Sequence, residues 1–422
     1  MQISEEKSLP LLGLPKWLFI VILGMLSMLM PLSIDMYLPS MPTIARSYHV
    51  ADGYVQLTIS IYLFGFAIGQ LIYGPLSDSF GRKKIMIIGL ILFIIAAALC
   101  GLSPNINQLI AVRFFHGLAA ASTAVIINAF MRDIFSDRDE FSRMTSFVTL
   151  VSNLAPLLAP IIGGIILVWF KWQTIFYVLS LAACITLILF TCTIPETLPK
   201  EKRVSFNLSL ILRNFVTIFR HSQVLKFMLV GAFSSAGLFS FLSLGSFVYM
   251  NIYGVKPEQF GYYFALNILF LVTMNIINSR FVRTKGALSM LKLGMMIQTI
   301  MALYLLIVVI CQLGFIALVI GVAGYIGCMS IIGGNAMAIT LSYYPYMAGT
   351  AASLAGTFRF VIAALIGVAL AWLSNLHDNN TLSIIPTHKA EYFMVGSMII
   401  CNVLAGLFFV LTKPNSLNEL SK

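Results

Sequence analysis

Twelve apolar runs of about 20 residues each confine this chain to a lipid bilayer. They cover 17–39, 54–77, 85–103, 107–131, 144–169, 173–194, 224–250, 260–282, 287–310, 313–342, 347–374 and 391–411. A helix rises about 1.5 Å per residue, so each run is long enough to cross a hydrocarbon core of roughly 30 Å. Inside lipid every backbone polar group must find a partner, which leaves helices or a closed barrel. Barrel strands would be short and alternating, and no such segments occur. The expected fold is therefore all-α, an integral membrane protein with 12 transmembrane helices. Only 10% of the 422 residues are charged, against about 25% in soluble domains. The first run is too long for a signal-peptide core and lacks a small-residue cleavage site, so it counts as a spanning helix.

The net charge of +11 is distributed by topology. With both termini on the cytoplasmic side, twenty of the 26 Lys and Arg residues fall in cytoplasmic segments. Arg46, Lys171, Lys256 and Lys389 fall outside, and Arg113 and Arg359 lie within helices. The positive-inside rule then sets both termini in the cytoplasm. It also accounts for the charge without a nucleic-acid partner. The longest polar stretch, 195–223, separates six helices from six. The expected domains are an N-terminal bundle (1–194), a cytoplasmic linker (195–223) and a C-terminal bundle (224–422). Two such halves around a central site are a transporter architecture.

Asp35 is the only one of the 15 carboxylates placed well inside an apolar run. A charge there costs several kcal/mol, roughly 3 to more than 10. A lone carboxyl in lipid is suited to taking up and releasing a proton. Counting from Pro39 as the outer helix end, Asp35 lies about 6 Å deep, and Arg113 lies about 9 Å deep from Asn107. Their similar depth makes Arg113 the expected partner, with proton affinity set by the balance of that charge against desolvation. The other reading of Arg113 is a static brace to backbone carbonyls. His116 reads first as a packing residue beside Gly117.

Two further segments carry a pattern. The loop after the second helix reads Gly74-Pro75-Leu76-Ser77-Asp78-Ser79-Phe80-Gly81-Arg82-Lys83-Lys84. Its glycines permit a tight turn. A topology anchor would need only the positive charges, so Asp78 at fixed spacing asks for more. The corresponding loop after helix 8, Asn278 to Arg283, keeps basic residues but has no Asp. The fifth helix contains Pro156, Ala159, Pro160, Gly163 and Gly164, a set that kinks a helix and allows close packing.

Arg359 lies about 18 Å into helix 11, in a half with no carboxylate in its apolar segments. It needs carbonyl, Asn or Ser partners, or an anionic group on a substrate. Gln70, Asn128, Asn153, Asn267, Asn275, Asn335 and Asn402 read mostly as interhelical contacts. Aromatic residues and methionines, among them Tyr37, Tyr62, Phe239, Phe247 and Met337, are candidates for an adaptable apolar cavity.

The 74–84 loop resembles the signature loop of the major facilitator superfamily, and the segment around Arg113 resembles that family's second motif with His116 in place of the commoner Gln. The Ala159–Gly164 segment is similar to its antiporter motif, with Ala159 where Gly is usual. Longer segments extend the likeness to the bicyclomycin-resistance branch of the bacterial drug/proton antiporters. These are Pro31–Pro39, Arg113–Ala121, Pro195-Glu196-Thr197-Leu198-Pro199, Phe260–Asn267 and Met347–Phe360. The resemblance implies the major facilitator fold, two pseudo-symmetric six-helix bundles, and a monomer in the bacterial inner membrane. It implies proton-driven export of bicyclomycin and other drug-like small molecules, including sulfonamides and cysteine-related metabolites. Asp35 and Arg113 would couple the proton. Gly74, Asp78, Gly81, Arg82 and Lys83 would form a gating loop, with Asp78 facing the start of helix 11 near Met347-Ala348-Gly349-Thr350. Tyr37, Tyr62, His116, Asn153, Phe239, Phe247, Asn335, Met337 and Arg359 would be candidates to line the cavity. No cofactor is implied beyond the proton as coupling ion.

A proton-coupled nutrient importer on the same fold is the alternative, and the helix 5 motif argues against it. An enzyme is not expected. The five histidines form no set with acids or a nucleophile, the six cysteines have no metal spacing, and no ATP-binding loop is present.

Overall fold

The computed structural model describes residues 15–135, 137–204, 208–344, 347–378 and 389–412. Residues 205–207 of the expected linker, and 379–388, lie outside them.

Among the described residues, twelve helices are long and apolar enough to cross a membrane. Spans 1 to 6 are Lys16–Tyr48, Asp52–Phe80, Arg82–Leu102, Ile106–Ile134, Asp139–Trp169 and Gln173–Thr193. Spans 7 to 12 are Ser222–Ile252, Pro257–Lys285, Ala287–Ile310, Phe315–Tyr343, Ala348–Asn375 and Ala390–Val410. A further helix, Leu208–Phe219, lies between spans 6 and 7. We call the end of the bundle that carries Arg82, Lys83 and Lys84 the basic end, and the opposite end the far end.

Prolines shape two spans. In span 1 the regular helix stops at Asp35 and continues through a tight turn, Leu38–Ser40, into Met41–Tyr48. Pro39 has no N–H for the Asp35 carbonyl, and its ring would clash there in a regular helix. The turn therefore tightens, and the Tyr37 N–H bonds to Ile34 O at 3.2 Å instead of reaching Ser33 O. The span does not end at Pro39, because the polar groups beyond it fold back on their own helix. Ser40 bonds to Tyr37 O (2.6 Å), Arg46 to Pro42 O (3.2 Å) and Ser47 to Ile44 O (3.0 Å). Asp35 consequently lies about 20 Å of helix from the far end at Tyr48, deeper than a helix ending at Pro39 would put it. Span 5 breaks at Asn153, three residues before Pro156.

The two halves meet along spans 2 and 11 and along spans 5 and 8. Lipid tails are as apolar as the side chains, so close backbone approach does much of the work of holding spans together. At the far end Gln56 and Ser374 are hydrogen-bonded, with Nε2 3.2 Å from Oγ. At mid-depth Thr357 bonds to Ala67 O (3.3 Å), and the Phe66 ring meets Phe360 at 4.7 Å. Towards the basic end the halves part around a cavity of about 720 Å³.

Candidate functional site

Asp35 and Arg113 are both buried in the first half, but they do not pair. Arg113 is completely buried and Asp35 is 6% exposed. The Arg113 Nη1 donates to the Ser33 carbonyl at 3.2 Å and lies 3.3 Å from His116 Nδ1. The Ser33 carbonyl is available because the tightened turn before Pro39 sends the Tyr37 N–H elsewhere. Three rings enclose the guanidinium: Tyr62 at 4.4 Å, Tyr37 at 4.8 Å and Phe176 at 5.7 Å. Its Nε and Nη2 have no hydrogen-bond partner among the described residues. Nor does any hydrogen bond or ion pair from the described residues reach the Asp35 carboxylate. The Tyr62 ring that covers the guanidinium is itself fully buried.

Tyr37 is held by its hydroxyl contact to Thr58 (2.8 Å). His116 packs edge-on against Tyr62, Phe93 and Phe176, with its Nε2 unpartnered among the described residues. The aromatic cage, the Ser33 carbonyl and Thr58 were not singled out from the sequence. Only Pro39 signalled that a carbonyl of this helix would be freed.

The expected antiporter motif lies where spans 1, 5 and 8 meet at the far end. A Cβ on Gly163 would run into the Met36 carbonyl, with the Met36 Cα at 3.0 Å. One on Gly164 would meet the Pro257 carbonyl and sit 3.0 Å from the Glu258 Cα. Ala159 and Pro160 are buried in the same helix, so the segment closes the far end between the halves.

The gating loop sits at the basic end. Arg82 is buried, donating to Asp78, to Ser77 Oγ (2.8 Å) and to Asp133 Oδ2 (3.2 Å). Gly74, Asp78 and Arg82 line the 720 Å³ cavity together with Gln70, Asn128, Arg132 and Met347–Thr350. Asp78 thus shares the cavity with the start of span 11, but no hydrogen bond joins them among the described residues. Lys83 points to the Thr191 carbonyl (2.8 Å), and Gly81 forms the turn at φ +102°. A hollow of similar volume, about 730 Å³, lies at the far end over Gly101–Ser103 and Val168–Tyr177, away from both charges.

The second-half candidates are dispersed. Phe239 stacks edge-on against Phe360 at 5.7 Å, while Phe247 is buried. Asn335 is taken up by Asn278 Oδ1 (2.7 Å) and the Ile331 carbonyl (2.8 Å). Met337 is half-buried, as is Asn153 at the break of span 5. Arg359 has an unpartnered, sealed Nε, and its Nη2 reaches only Met329 Sδ at 3.9 Å. A second carboxylate is buried as well: Glu391, 1% exposed in the first turn of span 12, accepts from the Tyr253 hydroxyl at 3.0 Å. Its position at the edge of an apolar run hid it from sequence reading. Burial and Glu391 together push the Tyr253 phenol up from its ordinary range.

The family model described as the Major Facilitator Superfamily matches residues 23–368. The chain belongs to the major facilitator superfamily. It is 40% identical, over 94% of its length and 97% of the relative's, to a bicyclomycin resistance protein homolog of Haemophilus influenzae. It is 26% identical to the multidrug resistance protein MdtL of Escherichia coli, over 94% of this chain and 96% of that one. Among solved structures, the human organic anion transporter MFSD10 superposes with a TM-score of 0.67 at 20% identity, covering 94% of this chain and 97% of that one. A D-xylose–proton symporter does so at 0.70 and 14%, covering 93% and 97%. These two likenesses speak for the fold. The chain is therefore a multi-pass membrane transporter of this superfamily and not an enzyme.

Proposed function

We propose that this facilitator is a proton-driven exporter of drug-like small molecules, bicyclomycin among them, working by alternating access in the bacterial inner membrane. The drug-resistance names of its relatives support the substrate class. The basic end faces the cytoplasm, following the positive-inside rule. The two halves, 1–194 and 224–422, rock about the 195–223 linker as a monomer. The 720 Å³ cavity is the route by which substrate enters from the cytoplasm, while the Gly164 contact with Pro257 and Glu258 and the Gln56–Ser374 bond hold the far end shut.

One observation carries the coupling: buried Asp35 has no hydrogen-bond or ion-pair partner among the described residues, while Arg113, bonded to the Ser33 carbonyl of the same span, is held by that carbonyl and three rings. An acid left without a fixed counter-ion can exchange its proton. Proton uptake at Asp35 from the far side then competes with substrate for the same state of the transporter. Arg359 offers donors to an acidic or carbonyl-rich part of the substrate.

The test is accumulation of labelled bicyclomycin in cells stripped of other pumps. Cells with this protein should hold less drug than cells without it, and collapsing the proton gradient should remove the difference. Drug levels indifferent to the gradient would contradict proton coupling.

A further inference from the structure

The segment Pro195-Glu196-Thr197-Leu198-Pro199 has no part in the scheme above, yet it is built into the gating loop. Glu196 accepts from the backbone N–H of Arg82 (2.9 Å) and of Lys83 (3.3 Å), the first two residues of span 3. These are free donors of a helix N-terminus, where a carboxylate is favoured. The Leu198 N–H adds a third bond to the same carboxylate at 3.1 Å, and Arg203 Nη2 lies 3.6 Å away. Gly81 has no room for a side chain, since a Cβ there would meet the Glu196 carboxylate and lie 2.7 Å from Arg203 Nη2. Thr197 donates to Asp133 (3.0 Å), the acid that also holds Arg82. The Val204 N–H bonds to the backbone carbonyl of Asp78 itself at 3.3 Å.

The other end of this linker is fastened to the second half. In the helix Leu208–Phe219, Ile218 is fully buried in a cluster with Ala351 and Leu354 of span 11. The Phe219 ring stacks on Phe358 of the same span, 6.0 Å apart and 16° from parallel. Phe215 reaches the wall of the cavity between the halves. One covalent segment therefore grips the gating loop at Asp78 and Arg82, and grips span 11 a turn or two beyond its start.

We propose that Glu196 is a positioning residue for the basic-end gate, and that 195–204 with Leu208–Phe219 form a strap transmitting the movement of span 11 to the gating loop. The proposal rests on the alternating-access reading. Closing the cavity must bring Met347–Ser353 towards Asp78. Span 11 then carries the linker helix with it, and the Val204–Asp78 and Glu196–Arg82 bonds carry the loop. Glu196 lies off the cavity wall that Val204 and Phe215 help to line, so its loss should slow the conformational step and leave binding intact.

The experiment uses spin-label pairs on the full chain, with exposed Cys192 and Cys311 replaced by Ser. One pair, at Lys84 and Lys285, reports the basic end, and another, at Lys171 and Lys256, reports the far end. Distances are compared between pH 8 and pH 6 in the parent, in Glu196→Ala, in Glu196→Gln and in Val204→Pro, which deletes one N–H and leaves Glu196 in place. Turnover in Glu196→Ala and Val204→Pro should fall about tenfold with half-saturation within about twofold of the parent. The pH-driven change at the basic end should shrink, and Glu196→Gln, keeping one acceptor oxygen, should fall between. Should Glu196→Ala fail to fold, Val204→Pro decides alone. Variants that switch and turn over like a switching parent would overturn the strap. A parent showing no distance change at either end would overturn the alternating-access reading, and the strap with it.

Discussion

Arg113 donates to the backbone carbonyl of Ser33 at 3.2 Å, and not to the carboxylate of Asp35 two residues further along the same span. A helix advances about 100° per residue, so those two groups leave span 1 on different sides. The guanidinium is thereby fixed to the span that carries the acid without closing an ion pair on it. A pair in low dielectric would be expensive to open in each cycle, whereas a charge held at a remove can bias Asp35 and stay in place.

Arg113→Lys is expected to keep the charge and lose the function. An ammonium is a point charge with a hydrated head and cannot replace a planar group caged by Tyr37, Tyr62 and Phe176. Transport should fall about tenfold or more, roughly 1.4 kcal/mol in the barrier, while the folded protein is still recovered from the membrane. Transport assays alongside size-exclusion profiles would show it. Parent-like rates in Arg113→Lys would mean that charge alone matters and the cage does not.

Gly164→Leu should prise open the far end. Its side chain has to displace the Pro257 and Glu258 backbone of the other half rather than a flexible group, and overpacking of this kind costs about 1–3 kcal/mol. A cysteine placed at Met36, which is 2% exposed and packs beside Gly163, should become reactive to a membrane-impermeant thiol reagent added from the far side. Unchanged protection of that cysteine would show that the Gly164 contact does not close the far end.

Arg359→Gln should discriminate between substrates. Among the described residues its guanidinium meets only the Met329 sulfur and, at 5.8 Å, the Phe360 ring, so an acidic substrate group would be its first strong acceptor. Hydrogen bonds to charged groups contribute about 1.5–3 kcal/mol. Half-saturation for acidic substrates should therefore rise at least about tenfold, with neutral ones little affected. Equal losses for both classes would assign Arg359 to packing.

The twelve spans, and the burial of Asp35 and Arg113 within them, were legible because lipid permits so few arrangements. Length, apolarity and the placement of Lys and Arg are direct readouts of the bilayer. The end of span 1 was not legible, because Ser40, Arg46 and Ser47 look like a loop until their polar groups are seen bonding to their own helix. The relation of Asp35 to Arg113 was half legible: depth brought them together, but a side chain's choice between a carboxylate and a carbonyl depends on Å-scale geometry. Glu196 escaped because its partners are backbone N–H groups more than 110 residues earlier, which leave no mark in the spacing of charges. Asp78 lies on the cavity wall with the start of span 11, as the resemblance to the superfamily's signature loop implies, although in this conformation its carboxylate is engaged by Arg82.

The most direct measurement is substrate flux in sealed vesicles on which a pH gradient is imposed, comparing the parent with Asp35→Asn. The substitution keeps the size of the side chain and removes its proton chemistry. The parent should move labelled substrate against its own gradient, and Asp35→Asn should exchange substrate only downhill. Uphill transport by Asp35→Asn at the parent's rate would contradict proton coupling through this carboxylate.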